Sequence, residues 1–183
     1  MQVPLDRIVF SEEEIASRVR ELGAEITRDY LSELGPAAEV VLVNILKGGF
    51  VFLADLVRCM DLSVMIDFLA ITSYADKGGT TGGVRIMKDL TESIYQRDVL
   101  VVEDIVDTGL TLSYILRNLA FRKPRTLKVC TFLDRPSSRI VPLQVDYRCF
   151  EVGGEFVVGY GLDYGQKWRN LSYVCTLRTE NLV

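Results

Sequence analysis

Acidic and hydroxyl side chains follow directly behind a short apolar, β-branched run near the middle of the chain. Residues 99–102 form that run, Glu103 and Asp104 come next, and Asp107 precedes the small polar turn 108–111. Free backbone N–H groups at the start of a helix, together with threonine hydroxyls, suit a phosphate. Adjacent carboxylates would repel a phosphate, so Glu103 and Asp104 suit a ribose diol or a divalent cation instead. Asp107 lies between the two sets of groups, where it could transfer a proton.

The polar turn has the composition of a phosphate cradle. Thr108 and Thr111 supply hydroxyls, and Gly109 permits close approach of a ligand to the backbone. The alternative interpretation is a solvated acidic loop with an ordinary helix N-cap. Three carboxylates at the end of a buried strand are costly to place, which favours a binding site. The triplet 107–109 also matches the aspartic-protease motif, but it occurs once, whereas those enzymes bring two such aspartates together.

Helical and strand-like segments alternate on both sides of this turn. A capping box formed by Ser11 and Glu14 starts an amphipathic helix, which the Gly-Pro pair at 35–36 ends. A second helix is expected over residues 50–60, and a third directly behind the polar turn. The apolar runs predict strands over residues 40–45, 64–71, 84–87, 99–102, 127–133, 145–152, 156–158 and 173–177.

Strands that are apolar throughout and alternate with helices predict a mostly parallel sheet covered on both faces. No repeat, low-complexity segment or linker divides the chain, so we predict a single α/β domain over residues 1–183. In sheets of this kind, ligands bind beyond the carboxyl ends of the strands. Residues 72–84 differ from the rest because they are polar and glycine-rich, and we expect a mobile loop there.

The composition excludes several classes of protein. Of the 183 residues, 49% are hydrophobic, which excludes intrinsic disorder, and no apolar run approaches the roughly 20 residues that span a bilayer. Residues 1–10 lack the apolar core of a secretory signal, so we expect a cytoplasmic protein. The chain has 21 Lys and Arg against 25 Asp and Glu, a net charge of −4, which argues against a nucleic-acid partner. It has no histidine, which excludes Ser-His and Cys-His nucleophiles and most zinc sites.

The four cysteines, Cys59, Cys130, Cys149 and Cys175, form no CxxC pair. Without histidine, a zinc site would have to gather all four of them from scattered positions. We therefore expect reduced thiols in or near the core.

Four segments together resemble motifs of the type I phosphoribosyltransferases, and among these the hypoxanthine-guanine phosphoribosyltransferases. Residues 101–111 resemble the family's phosphoribosyl-pyrophosphate motif. Residues 46–49 (Leu-Lys-Gly-Gly), the Ser-Tyr pair at 73–74, and residues 156–164 with Arg169 beyond them resemble three further family motifs. The four occur in the family's order at compatible spacing, and the resemblance covers almost the whole chain.

The resemblance implies a fold and a reaction. The fold would be a central, mostly parallel sheet flanked by helices, with a small hood formed by the N- and C-terminal segments. The reaction would transfer the 5-phosphoribosyl group of phosphoribosyl pyrophosphate to N9 of a 6-oxopurine, hypoxanthine or guanine, giving IMP or GMP and pyrophosphate in purine salvage. Mg²⁺ would be the cofactor and a homodimer or homotetramer the assembly, and neither a nucleic acid nor a membrane would be a partner.

By this resemblance, Asp107 would be the general acid/base at N7 of the purine. The residues implied in binding phosphoribosyl pyrophosphate are Leu46, Lys47, Gly48, Glu103, Asp104, Asp107, Thr108, Gly109, Leu110, Thr111 and Arg169. Within that set, Glu103 and Asp104 would bind the ribose hydroxyls, and the turn 108–111 would hold the 5-phosphate.

The resemblance also implies where the pyrophosphate and the metal would bind. Lys47 and the glycines behind it would form the pyrophosphate loop, with a cis peptide bond between Leu46 and Lys47. Arg169 would reach the pyrophosphate, for which its planar fork is suited. The implied metal ligands are Glu103, Asp104 and Asp163.

The purine-binding residues implied by the resemblance are Arg135, Phe156, Val157 and Asp163. Phe156 would stack on the base, and Val157 would contact its Watson–Crick edge through backbone groups. Ser73 and Tyr74 would begin a lid that excludes water from the reacting ribosyl centre.

The chain departs from the family at Arg135, where the family usually has a lysine that donates to O6 of the purine. Arginine keeps the cation and the donors but is longer and planar. Arg135 could read O6 or turn outward, and the preference among hypoxanthine, guanine and xanthine stays open. Two alternatives are a phosphoribosyltransferase for another base, such as xanthine or a pyrimidine, and a regulatory protein that keeps the fold and binds nucleotides.

Overall fold

The structure, a computed structural model, describes residues 5–74 and 83–178. Its strands are β1 (Leu5–Phe10), β2 (Glu39–Leu46), β3 (Ser63–Tyr74), β4 (Gly83–Lys88), β5 (Asp98–Val106), β6 (Thr126–Asp134), β7 (Tyr147–Glu151), β8 (Val157–Val158) and β9 (Val174–Leu177). Six of them form the central sheet, in the order β4-β3-β2-β5-β6-β7. Strands β3, β2, β5, β6 and β7 run parallel, and β4 pairs antiparallel with β3. The predicted, mostly parallel sheet is confirmed.

Helices cover both faces of this sheet, which is why its central strands β2 and β5 are buried over most of their length. The helices are α1 (Glu12–Leu34), α2 (Phe50–Arg58) and α3 (Leu110–Ala120). On one face, α1 and α2 bury Ile15 and Phe52 in the same core cluster as Leu100 of β5. On the other face, α3 buries Ile115 with Val101 of the same strand. Successive residues of β5 therefore alternate between the two halves of the core.

Helix α1 begins as its sequence predicts. The Glu14 backbone N–H donates to Ser11 Oγ at 3.3 Å, and the Ser11 N–H donates to Glu14 Oε2 at 2.8 Å. This capping box satisfies two N–H groups that a helix start would otherwise leave without partners. Gly35 ends the helix with φ +81°.

The two chain ends form a second sheet with the antiparallel order β1-β9-β8. It borders the carboxyl ends of the central strands, because Arg135, directly behind β6, donates to the Glu155 carbonyl in front of β8 at 2.7 Å. This small sheet is the hood that the resemblance implied. Ligands of open parallel sheets bind at that edge.

Two predicted boundaries are wrong. The two ends of the loop expected over 72–84 are strand, because β3 continues to Tyr74 and β4 begins at Gly83, and the two pair with each other; residues 75–82 lie outside the described residues. Strand β5 ends at Val106 rather than at residue 102, because its last part pairs with the end of β6. Glu103 and Asp104 therefore belong to the strand and not to a turn behind it.

The described cysteines are unpaired, as expected, with Cys130, Cys149 and Cys175 buried and Cys59 half-buried. Burial raises the pKa of Cys149 to about 12, which keeps this thiol protonated and unreactive. Within residues 5–74 and 83–178, no helix combines the length and the apolar character needed to cross a bilayer.

Candidate active site

Glu103, near the carboxyl end of β5, has a buried and unsatisfied carboxylate oxygen. Its Oε2 has no hydrogen-bond partner among the described residues. Burial, followed by the neighbouring charge of Asp104, raises the pKa of Glu103 well above its usual range. A buried polar atom without a partner is costly, and it is therefore a candidate contact for a ligand or a cation.

Asp104 joins β5 to the loop behind β2. A Cβ built at Gly48 would lie 1.4 Å from Asp104 Oδ2, so glycine alone fits at that position. Burial raises the pKa of Asp104, while the N–H of Ile105, which donates to its Oδ1 at 2.8 Å, and the positive charge of Arg169 lower it. The predicted ribose and pyrophosphate residues are thus in direct contact here.

Asp107 forms an ion pair with Arg135. Arg135 Nη1 lies 3.2 Å from Asp107 Oδ2, and Nη2 of the same side chain donates to the Glu155 carbonyl at 2.7 Å. The Arg135 side chain is 11% exposed, so it is not turned outward, whereas that of Asp107 is 46% exposed. The guanidinium fork holds Asp107 in place and leaves its carboxylate accessible from solvent.

The polar turn behind Asp107 opens helix α3 as predicted. Gly109 is the N-cap residue with φ +78°, a left-handed conformation that glycine adopts without steric cost. The Leu110 N–H donates to Thr108 Oγ1 at 3.5 Å, and the Thr108 carbonyl accepts from the Ile140 N–H at 2.9 Å. A glycine cap has no side chain of its own, so the first N–H groups of the helix, apart from this long contact of Leu110, are available to an anion.

Arg139 packs behind this turn. A Cβ at Gly109 would lie 3.0 Å from Arg139 Cδ and 3.5 Å from its Nη1. Arg139 is 14% exposed and pairs with the buried Asp134, while its Nη1 is buried with no hydrogen-bond partner among the described residues. The turn has no cationic side chain of its own, so Arg139 places a positive charge close to it.

The loop behind β2 has the predicted cis peptide bond between Leu46 and Lys47. Gly161 approaches this loop from the C-terminal segment, because a Cβ built on it would lie 2.2 Å from the Gly48 carbonyl oxygen. Gly161 has φ +97°, so both its conformation and its surroundings require glycine.

Positive side chains converge beside this loop. Arg169 pairs with Asp163 at 2.6 Å and donates from Nη1 to the Gly161 carbonyl at 2.7 Å. Lys47 Nζ donates to Gln166 Oε1 at 3.1 Å, and Arg169 Nη2 lies 3.5 Å from the same oxygen. Lys47 and Arg169, predicted separately as pyrophosphate ligands, therefore meet at one atom.

Aromatic rings pack against one another beside the hood. Phe156 is 45% exposed, and its ring packs edge-on against that of Tyr164 with centroids 5.6 Å apart. Tyr164 in turn stacks on Trp168 at 6.3 Å. Val157 is buried in β8. An exposed, supported aromatic ring can stack on a planar base, which keeps Phe156 a candidate for that contact.

The structure describes the backbones of the two predicted lid residues, Ser73 and Tyr74, and gives the predicted metal ligand Asp163 partners within the protein. Ser73 and Tyr74 end β3, where their backbones pair with Val84 and Gly83. The Asp163 carboxylate is occupied by Arg169 and by the Gln166 N–H, at 2.8 Å. Across the described ranges, no three acidic or cysteine side chains gather closely enough to hold a metal by themselves.

Sequence reasoning missed three contributors, which are Arg139, Gln166 and the Glu155 carbonyl. Gln166 and Lys47 lie 119 residues apart in the sequence and Arg135 and Glu155 lie 20 apart, so local patterns could not reveal these contacts. Gln166 has one signal in the sequence, since it lies between two residues that the resemblance did select, Asp163 and Arg169.

Known proteins share both the sequence and the fold. The family model "Phosphoribosyl transferase domain" matches residues 9–165. The chain is 45% identical to a hypoxanthine-guanine phosphoribosyltransferase of Mycobacterium avium over 93% of this chain and 84% of that one. It is 42% identical to that of Bacillus subtilis over 97% and 96%. The crystal structure of a hypoxanthine phosphoribosyltransferase from Staphylococcus aureus superimposes with a TM-score of 0.89 at 41% identity, over 97% and 94% of the two chains.

The edge of this parallel sheet brings together a glycine-capped helix start, buried carboxylates and two converging cations. In a chain with these relatives, such a site defines a phosphoribosyltransferase. The chain belongs to the phosphoribosyl transferase domain family, and within it to the hypoxanthine-guanine phosphoribosyltransferases. It is therefore an enzyme of purine salvage.

Proposed function

We propose that this chain transfers the 5-phosphoribosyl group of phosphoribosyl pyrophosphate to N9 of hypoxanthine or guanine, releasing pyrophosphate and forming IMP or GMP. One observation carries the proposal. The loop 46–49, the end of β5 and the C-terminal segment meet at Gly48, which contacts both Asp104 and Gly161. The residues proposed to bind the ribose and the pyrophosphate therefore meet at this point, and the turn 108–111, proposed to bind the 5-phosphate, follows the same strand.

The turn 108–111 binds the 5-phosphate in this proposal. Its support is the left-handed Gly109 cap, which offers no side chain to the first N–H groups of α3, so that a phosphate would replace the long, 3.5 Å contact of the Leu110 N–H with Thr108 Oγ1. Thr108 and Thr111 add hydroxyl donors, and Leu110 contributes its backbone N–H. Arg139, behind the turn, adds a favourable charge without having to contact the phosphate.

Lys47 and Arg169 bind the pyrophosphate. Both are donors without acceptor atoms, and both are directed at one oxygen, that of Gln166. Leu46 and Gly48 shape the loop, and Gly48 permits the backbone to pass directly beside Asp104. A diphosphate would replace the single amide oxygen with several charged ones and so strengthen each hydrogen bond.

The donor set of this site fits Mg²⁺. This ion prefers oxygen ligands, and proteins usually hold it through one or two carboxylates together with substrate phosphates. Glu103, with its unpartnered buried Oε2, and Asp104 are the proposed carboxylates, and Asp163 stays a predicted ligand. The ion would neutralise charge that develops on the departing pyrophosphate.

Asp107 transfers the proton in the proposed reaction. As the bond from N9 to the ribosyl carbon forms, the purine releases a proton at N7, and a carboxylate within hydrogen-bond distance can accept it. Arg135 holds Oδ2 of Asp107 and so fixes the orientation of the carboxylate. The half-exposed position of Asp107 leaves room for a base beside it.

The purine lies between the hood and Asp107 in this proposal. Phe156 stacks on the base, and the backbone at Val157 reads its Watson–Crick edge. Arg135 places its cation near O6, which favours a 6-oxopurine over a base that presents a donor there. Ser73 and Tyr74, at the end of β3, lead into the proposed lid that excludes water from the ribosyl centre.

A turnover assay tests the proposed function. Purified protein is given phosphoribosyl pyrophosphate and Mg²⁺ with hypoxanthine, guanine, xanthine, adenine or uracil, and nucleotide and pyrophosphate are both quantified. We expect equal amounts of the two products with hypoxanthine or guanine. Turnover only with uracil or adenine, or none with any base, would contradict the proposal. A cytoplasmic location and a homodimer or homotetramer stay predictions, which cell fractionation and light scattering would test.

A further inference from the structure

Gln166 lies between the two cations of the proposed pyrophosphate site. Its Oε1 is 3.1 Å from Lys47 Nζ and 3.5 Å from Arg169 Nη2. Both neighbours can only donate hydrogen bonds, so the atom that faces them must be the amide oxygen and not the amide nitrogen. One neutral oxygen thus occupies the position to which two positive side chains converge.

The backbone at Gln166 supports this position of the side chain. Gln166 has φ +65°, a left-handed conformation that is uncommon outside glycine. The Asp163 carboxylate fixes the turn by accepting from the Gln166 N–H at 2.8 Å, and it also pairs with Arg169 at 2.6 Å. The side chain itself is exposed, so no packed core prevents it from moving out of the crevice.

We propose that Gln166 is a displaceable internal ligand, whose amide oxygen takes the place of a pyrophosphate oxygen between Lys47 and Arg169. This inference rests on the proposed function, since it assumes that these two cations bind pyrophosphate. In the ligand-free protein, the oxygen holds Lys47 beside Arg169, which Asp163 and the Gly161 carbonyl already hold in place, so the two cations stay directed at one point. Because the amide is neutral, it does not neutralise them, and an incoming diphosphate forms stronger, charge-assisted hydrogen bonds and displaces it.

The charge of the side chain at 166 therefore sets the affinity for pyrophosphate. A carboxylate there would pair with both cations and compete with the anion. A shorter amide would not bridge them and would compete less. The two changes act in opposite directions, whereas loss of a merely structural contact would weaken binding in both variants.

The test measures the dissociation constant of magnesium pyrophosphate by calorimetry in the full chain and in two variants. We expect Gln166→Glu to weaken binding about tenfold, since charge-assisted pairs are roughly twice as strong as neutral ones. We expect Gln166→Asn, which tolerates a left-handed backbone, to strengthen binding by about twofold to fivefold, as the weaker bridge predicts. The KM for hypoxanthine should stay within about twofold in both variants, because the base binds elsewhere in the crevice.

Gln96→Glu is the matched control. Gln96 is also exposed and left-handed, with φ +58°, but it precedes the amino end of β5, away from the carboxyl-end crevice. The substitution Gln96→Glu adds the same single negative charge as Gln166→Glu, and the affinity of the Gln96→Glu variant for pyrophosphate should match that of the unmodified protein. Shifts of the two Gln166 variants in the same direction, or no shift in either, would overturn the inference. Failure of the unmodified protein to bind pyrophosphate would instead overturn the proposed function together with it.

Discussion

Arg135 Nη1 lies 3.2 Å from Asp107 Oδ2, while Nη2 of the same guanidinium donates to the Glu155 carbonyl at 2.7 Å. One planar side chain thus joins the end of β5 to the hood. A lysine has a single nitrogen, which would have to serve both partners. The proposed proton-transfer residue and the proposed base-binding segment are therefore positioned by the same group.

Asp107→Asn should lower kcat about 10²–10⁴-fold, because the amide cannot accept the proton released by the purine. Asn keeps the size of Asp and an oxygen that can accept from Arg135, so the KM for phosphoribosyl pyrophosphate should change little. Steady-state kinetics with hypoxanthine measure both constants. Turnover equal to that of the unmodified protein would show that Asp107 is not the acid/base.

Arg135→Lys should change the ratio of kcat/KM values among hypoxanthine, guanine and xanthine. The ammonium cannot keep the two-pronged contact with Asp107 and the Glu155 carbonyl, so its charge moves relative to O6 of the base. Competition assays with pairs of bases measure the ratio directly. An unchanged ratio would mean that the side chain at 135 does not read the base.

Arg169→Ala should weaken binding of phosphoribosyl pyrophosphate and of pyrophosphate by about 10–100-fold, the effect of losing charged hydrogen bonds. Binding of the purine should change far less. Arg28→Ala, at an exposed position in the second half of α1, which leads to the amino end of β2, removes the same charge and serves as the control. Equal losses for the purine and the pyrophosphate would contradict the role given to Arg169.

Gly109→Ala tests the phosphate turn, with Gly35→Ala as its matched control. Both glycines have a positive φ, +78° and +81°, so each substitution should lower the free energy of unfolding by about 1–3 kcal/mol. At Gly35 a Cβ meets nothing within 4 Å, whereas at Gly109 it meets Arg139 at 3.0 Å. Only Gly109→Ala should also raise the KM for phosphoribosyl pyrophosphate, by about tenfold or more. Equal KM values for phosphoribosyl pyrophosphate in the two variants would show that the turn 108–111 does not bind this substrate.

Asp98 should make stability depend on pH in the acid range. Its buried carboxylate pairs with Arg125 and accepts from Thr126 Oγ1 at 2.8 Å, and the hydrogen bond from Arg125, followed by that from Thr126, lowers the pKa of Asp98 despite burial. A lowered pKa stabilises the fold fully above the unfolded value near 3.9, and the gain disappears as pH falls through the folded value.

Asp98→Asn should therefore lower the free energy of unfolding at pH 7 by about 1.5 kcal/mol, the contribution of a hydrogen bond to a charged group, and should flatten the loss of stability below about pH 4. Urea unfolding at pH 7 and at a pH below about 4 measures both effects. Asp61→Asn, at an exposed position, is the control. If the free energy of unfolding changed with pH in the same way in Asp98→Asn and in the unmodified protein, Asp98 would not be the source of the pH dependence.

The sequence predicts most of the fold, because its determinants are periodic or local. Apolar runs give the parallel strands, and the capping box at Ser11 and Glu14 gives the start of α1. The end of β5 was misplaced because pairing, and not local composition, determines it: Ile105 lies opposite Leu133 of β6. The register between two strands that are distant in the sequence cannot be read from the residues of one strand alone.

The candidate site was predictable where motifs are contiguous and not where loops meet. The cis bond at Leu46–Lys47 was implied by the resemblance of its segment to a family motif, and the polar turn at the start of α3 was indicated by the composition of residues 108–111. The contact between Gln166 and Lys47, like the packing of Arg139 on Gly109, depends on how separate loops approach one another. Such contacts become visible only when the fold is known.

The most direct test of the account is a crystal structure with IMP, pyrophosphate and Mg²⁺ bound. We expect the 5-phosphate of IMP against residues 108–111, N7 of its base within hydrogen-bond distance of Asp107, and pyrophosphate between Lys47 and Arg169. A phosphate bound away from the start of α3, or a base that does not approach Asp107, would contradict this expectation.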